Sequence, residues 1–237
     1  MSGAASRADG DPPRKGGKAQ KSHGPAGYEL LESGALPAAE GEADSSSAPV
    51  MDSGAMVRLR EMHLAPYIQL ATALIGTRRR SGGNMFRHQL DTMAILMDYG
   101  YIDSVLLKAS VVHDLIEDLP DFDRDSLLGI DPESPEVYKL VLEVTRRPIE
   151  TKPDFLRRIR EYGSVRAQVL KCADRISNMI SLGYVTDLDF VRRYTEETAE
   201  EIYPIADHVD PRMAAELREL VGTRREYVSL RFKAGQV

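Results

Sequence analysis

The chain carries a single cysteine, Cys172, among its 237 residues. No intrachain disulfide can form, and a reducing compartment, the cytoplasm, is expected. No window approaches about 18 consecutive apolar residues, which argues against a transmembrane helix. No apolar segment follows the scattered basic residues of the N-terminus, which argues against a secretory signal. An excess of positive charge is missing too: the formal net charge is −6 and the pI about 5.5. A general nucleic-acid binder would show a basic surface, so neither nucleic acid nor membrane is an expected partner. Sustained alternation of apolar and polar residues is absent, as is any internal repeat, and helices are left as the main structural element.

What is present divides the chain in two. Half of the 18 glycines fall before position 55, with prolines at 12, 13, 25, 37 and 49 and few apolar residues. Such a segment cannot bury enough surface to offset its ordering entropy, so residues 1–54 are expected to be a disordered low-complexity tail. His23 lies there and is given no role. Residues 55–237 are expected to fold as one domain.

Helical spacing recurs through that domain. Met56, Leu59, Met62, Ala65, Ile68, Ala71, Leu74 and Ile75 form a first run, and Pro66 within it predicts a kink or two shorter helices. His63 is expected on the surface. The run Arg78-Arg79-Arg80-Ser81-Gly82-Gly83-Asn84 breaks the pattern as a basic loop. A helix over about 85–99 has Phe86, Leu90, Met93, Ala94 and Met97 on its apolar face, with His88 one position off it. Gly100 ends it. The next helix is expected over 102–118, with Pro120 stopping it, followed by an acidic loop over 119–133. Further helices carry Val137–Val144, Phe155–Tyr162 closed by Gly163, and Val165–Leu182 capped by Ser164. Asp187 is placed to cap another helix reaching Ile205, with Pro204 near its end, and a last one spans Met213–Leu230. The fold class is all-α, with roughly seven to nine helices.

The chemistry gathers on Val112-His113-Asp114-Leu115-Ile116-Glu117-Asp118. This stretch closes a segment that is apolar almost all round, which marks a buried helix. Ionisable groups there need partners or a cation. Glu117 lies i+4 from His113, and Asp118 lies i+4 from Asp114, so the four share one side. Asp174 and Asn178 are likewise i and i+4 on a later helix, in a polar stripe with Lys171 and Ser181. His88, His113, Asp114 and Asp174 make a mixed nitrogen and oxygen donor set that suits manganese or iron, with zinc also open. A metal so held keeps positions for water and a phosphoryl oxygen. Glu117 and Asp118 are then free to handle the water's proton or the leaving group's. The arginines at 78–80 are read either as a solvated basic helix end or as a phosphate clamp.

These motifs resemble the HD-domain metal-dependent phosphohydrolases, and more narrowly the hydrolase domain of the RelA/SpoT alarmone enzymes. The resemblance rests on His88; on His113-Asp114-x-x-Glu117-Asp118; on Arg79-x-Ser81-Gly82, with Arg80 in place of a lysine; and on Lys171-x-Ala173-Asp174-Arg175-x-x-Asn178-Met179. It implies a single HD-type helical hydrolase domain over 55–237. It also implies one manganese ion on His88, His113, Asp114 and Asp174, and water activation by Glu117 and Asp118. Arg79 would contact phosphate, Arg80 would lie against the purine, and Asn178 would hold the nucleotide, with Ser81 and Ser181 completing the substrate site. The implied reaction removes pyrophosphate from the 3′ position of ppGpp or pppGpp, giving GDP or GTP.

Departures qualify this. Gln89 stands where the family usually has proline, and Cys172 replaces a common leucine. Arg80 for lysine opens a change of base preference. With the sequence ending at Val237, a small hydrolase without synthetase or regulatory domains is expected. Alternatives are an HD phosphohydrolase acting on an adenosine alarmone or NADPH, and a non-catalytic nucleotide-binding regulator. Assembly into a homo-oligomer is left open.

Overall fold

The computed structural model describes residues 53–233. The expected tail lies outside the described residues apart from Ser53 and Gly54, which open the first helix. The structure is helical throughout: α1 (Ser53–Glu61), α2 (Ala65–Ala71), α3 (Met85–Asp98), α4 (Ser104–Val112), α5 (Leu115–Asp118) and α6 (Arg124–Leu128) come first. Then follow α7 (Ser134–Val144), α8 (Lys152–Tyr162), α9 (Val165–Ser181), α10 (Leu188–Glu197), α11 (Tyr203–Val209) and α12 (Pro211–Lys233). Among the described residues no helix is long and apolar enough to cross a membrane.

Two helices form the centre. Every residue of α4 from Val105 to Val112 is buried, and α9 buries most of its length from Ala167 to Met179. α3 packs on both α4 and α9; α7 lies against α4 and α9; α12 runs along α9, α10 and α11. Truncating one of the fully buried leucines, such as Leu107 or Leu170, would remove about 2–5 kcal/mol.

Local sequence explains most boundaries. Pro66 sits in the first turn of α2, where its missing N–H is harmless, so the expected kink is a chain break between two helices. Asn84, Asp103, Thr151, Ser164 and Asp187 each cap a helix by accepting a backbone N–H. Gly100, at φ +80°, ends α3, and the Tyr101 N–H returns to the Leu96 carbonyl.

Four expectations need correction. The helix expected over 102–118 is two: α4 stops at Val112, and α5 is a separate turn. At the break the ring of His113 donates to the Ser110 carbonyl of its own helix at 2.7 Å. The acidic loop over 119–133 contains α6. The deep face of α3 is polar, burying His88, Gln89, Thr92 and Leu96, while Ala94 is exposed. Finally, the helix expected to run from Asp187 to Ile205 contains a π-helical stretch, Thr198–Ile202. Pro204 cannot donate to the carbonyl one turn back and its ring crowds that carbonyl, and the backbone widens just before it.

Candidate active site

α3, α4–α5 and α9 bring together the residues that the motifs single out. His88 Nε2 lies 3.0 Å from Asp174 Oδ1 and 3.6 Å from Asp114 Oδ2. His113 Nε2 lies 3.3 Å from Asp114 Oδ2 and 3.8 Å from Asp174 Oδ1. His88, His113 and Asp174 are buried, and one donor atom from each falls within 4.8 Å of the others. Asp114, at the break between α4 and α5, lies beside this group, with Oδ2 near both imidazole Nε2 atoms.

The partners of these groups orient them. His113 Nδ1 donates to the Ser110 carbonyl, so Nε2 faces the carboxylates; among the described residues this buried atom has no hydrogen-bond partner. His88 Nδ1 pairs with Ser177 Oγ at 2.8 Å. Lys171 Nζ donates to Asp174 Oδ2 at 2.7 Å, and Asn178 Nδ2 donates to Asp174 Oδ1 at 2.6 Å. An imidazole fixed through its far nitrogen and a carboxylate held from behind are the usual supports of a metal ligand.

Electrostatics agree. Burial alone would lower the His113 pKa, but the Asp114 and Asp174 carboxylates outweigh it and raise it to about 9. Burial alone would raise the Asp174 carboxyl, yet the Lys171 ammonium and the two imidazoles hold it well below the usual carboxylate range. Two carboxylates facing two buried imidazoles thus make a site that demands positive charge, and the donor set fits a divalent cation.

His88, Asp114 and Asp174 line a cleft of about 410 Å³, with His113 behind them. Glu117 and Asp118 line it beside Asp114. Burial, with Asp114 and Glu117 close by, pushes Asp118 up to about 6. Gly82 and Gly83, at φ +92° and +74°, fold the basic loop into a tight turn, closed by Arg79 N–H to Gly83 O. That turn aims Arg79 inward: Nη2 donates to Asn178 Oδ1 at 2.6 Å, and Nη1 donates to Ser181 Oγ at 3.4 Å. Ser81 is buried and lines the cleft; Ser181 does not line it and touches it only through Arg79. Arg80 lies 4.2 Å over the ring of Phe190 and pairs with Asp187 at 3.0 Å, so it is anchored on α10 at the cleft's edge. His63 is exposed and away from the cleft.

The cleft is also lined by residues to which the sequence pattern assigns no role: Arg146, Lys152, Phe155, Phe190 and Tyr194, together with Arg175 of the Asp174-Arg175 motif. Arg175 is 1% exposed, lies 4.2 Å over the Tyr194 ring and donates to Glu197 at 2.8 Å. Lys152 reaches the same Glu197 oxygen at 2.9 Å. Arg175 was present in the motif around Asp174 but was given no role there. Arg146 and Lys152 carried no signal, because they come from a loop and a helix start that only the tertiary fold brings together.

The described residues form an all-helical bundle. It aligns with the solved structure of a metazoan ortholog of SpoT, a protein that hydrolyzes ppGpp and plays a role in starvation responses. The TM-score is 0.57 at 23% identity, covering 68% of this chain and 94% of that one. In sequence the chain is similar to the GTP pyrophosphokinase rsh of Brucella ovis and that of Brucella abortus, at 32% identity over 157 residues. The match takes in 60% of this chain and 20% of each relative, so the chain spans about a fifth of the length of the curated relatives it matches. No family model matches the sequence. The resemblance to RelA/SpoT-type proteins read from short motifs thus holds for sequence and for fold.

Proposed function

We propose that this chain is a divalent-metal-dependent pyrophosphohydrolase that removes the 3′-pyrophosphate of ppGpp or pppGpp in the cytoplasm, lowering the level of these alarmones. One observation carries the reading. The buried group His88, His113 and Asp174, with Asp114 beside it, adjoins a cleft lined by Arg78, Arg79, Arg80, Arg146, Lys152, Lys171 and Arg175. A cleft so rich in cations suits a substrate with phosphates at both ends. The kinship with a protein that hydrolyzes ppGpp supports the same substrate class.

His88, His113, Asp114 and Asp174 would hold the ion, and manganese suits the mixed donor set. Such an ion lowers the pKa of a bound water and polarises a phosphoryl oxygen. The remaining chemistry belongs to the chain. Arg79, braced by Asn178 and Ser181, binds the diphosphate and orients it toward the donor cluster. Arg80, stacked on Phe190, offers a flat cationic face to the base. Water attacks the phosphorus bonded to the ribose 3′ oxygen, that P–O bond breaks, and pyrophosphate departs. Glu117 accepts the proton of the attacking water. Asp118, raised to about 6, is the carboxyl better able to keep a proton, and it is assigned to the 3′ oxygen.

The test is incubation of purified protein with manganese and, in parallel, ppGpp, pppGpp, ppApp and NADPH, with product identification. Metal-dependent release of pyrophosphate from the guanosine substrates is expected. No pyrophosphate release from any 3′-pyrophosphorylated nucleotide would sink the reading. Turnover of ppApp or NADPH alone would move it to the adenine nucleotides.

A further inference from the structure

Three of the four donors in the cluster are held by groups whose role is plain: His88 by Ser177, His113 by the Ser110 carbonyl, and Asp174 by Lys171 and Asn178. The fourth, Asp114, sits where the backbone leaves α4 and is the most exposed of the set; among the described residues no Lys or Arg bonds to it. Among the described residues its side-chain hydrogen bond comes from Gln89, whose Nε2 donates to Asp114 Oδ2 at 2.8 Å. Gln89 is fully buried, one residue beyond His88 on α3, and its Oε1 has no hydrogen-bond partner among the described residues.

The orphaned oxygen identifies the amide's role. Leaving a buried acceptor unpaired is unfavourable by about 1–3 kcal/mol, and an apolar side chain of similar shape would avoid that loss. The flipped amide would point its oxygen at the Asp114 carboxylate, so the orientation is set by Asp114. A side chain chosen for core stability alone would not carry this amide.

We infer that Gln89 is a positioning residue for the metal site: it holds the Asp114 carboxylate with Oδ2 turned toward His88 and His113, ready to ligate the divalent ion. The inference rests on the reading of the cluster as a metal site. A neutral donor suits this place. It fixes the carboxylate without the full charge that a lysine or arginine would set against the cation. Supports of this kind are typically worth 10- to 100-fold in metal affinity.

The full chain, stripped of metal, is titrated with MnCl₂ while free Mn²⁺ is followed by electron paramagnetic resonance, and the melting temperature of the metal-free protein is recorded in parallel. Gln89→Leu keeps the size and removes the donor. The expected result is a Kd for Mn²⁺ raised about 10- to 100-fold, with a metal-free melting temperature equal to or above wild type. Gln89→Met carries the same comparison should the leucine variant not fold. Wild-type affinity in a folded variant would overturn the inference. So would a melting temperature lowered in both variants, because that is the mark of a merely structural amide. Failure of the wild-type chain itself to bind Mn²⁺ would instead strike the metal reading, and the two failures are separable.

Discussion

Nη2 of Arg79 lies 2.6 Å from Oδ1 of Asn178, and the same amide turns its Nδ2 to Oδ1 of Asp174, also at 2.6 Å. Asn178 therefore uses both ends of its side chain to join Arg79 to Asp174. The family resemblance implies a nucleotide contact at this position; the geometry adds a bridge. Asn178→Leu is expected to lower kcat/KM for ppGpp by about 10- to 100-fold and to weaken Mn²⁺ binding as well, because both neighbours lose their brace. Steady-state kinetics and a metal titration on the same preparation check this. A rise in KM with metal affinity untouched would make Asn178 a substrate contact and nothing more.

Glu117 lines the cleft beside Asp114 and lies outside the group His88, His113 and Asp174, so its loss should separate chemistry from metal binding. Glu117→Gln is expected to reduce kcat by about 10²–10⁴-fold, the usual scale for a general base, with the Kd for Mn²⁺ within a few-fold of wild type. Loss of the metal together with turnover would place Glu117 among the ligands.

His113 and Asp114 stood out in the sequence because ionisable groups interrupted an apolar helix, and Asp174 because it shares a face with Asn178. His88, one position off its apolar face, gave no such signal by itself and came in as a polar partner for that helix and with the motif. The caps at Ser164 and Asp187 were legible for a similar reason, since each depends on one side chain and its own backbone. The break at His113 was not. Leu115 and Ile116 continue the apolar run, so periodicity gives no sign of a break there. Nor was the role of Gln89, whose neighbour in sequence is His88 but whose partner, Asp114, is 25 residues away. The polar deep face of α3 escaped as well. Periodicity assigns the core to apolar residues, and here the core contains a site. Arg146 and Lys152 were hidden because surface cations have no pattern until a cleft collects them.

Proton and metal compete for His113. Without a cation, the imidazolium is stabilised by Asp114 and Asp174, and its pKa is raised from 6.5 to about 9. A group raised on folding lends stability that is complete below its unfolded pKa and is lost as pH climbs through the folded one. Metal-free protein should therefore lose about 3 kcal/mol between pH 6.5 and pH 9. Metal binding needs the neutral ring, so Mn²⁺ affinity should rise over the same interval and level off above it. Melting curves with and without MnCl₂ across this range should diverge as pH rises. Parallel curves would mean that His113 does not exchange its proton for the metal.

Arg175 gives a test of stability away from the donor cluster. Its guanidinium is 1% exposed, bonded to Glu197 at 2.8 Å and to Thr198 at 3.0 Å. The π-helical stretch after Glu197 begins at Thr198, the second of these partners. Removing one partner of a buried pair leaves the other charge stranded, which is unfavourable by about 3–5 kcal/mol when both are fully buried. Glu197 is 26% exposed, and solvent screening reduces the figure to about 2 kcal/mol. Glu197→Gln should accordingly lower the melting temperature by about 4–8 °C at neutral pH. Burial alone would raise the Glu197 carboxyl, but Arg175 and Lys152 hold it below its usual value. Its contribution is thus present above the unfolded pKa and fades as pH falls through the folded one. The gap between wild type and Glu197→Gln should close in acid. A gap that persists well below pH 4 would show that the substitution acts through packing around Tyr194 and not through charge.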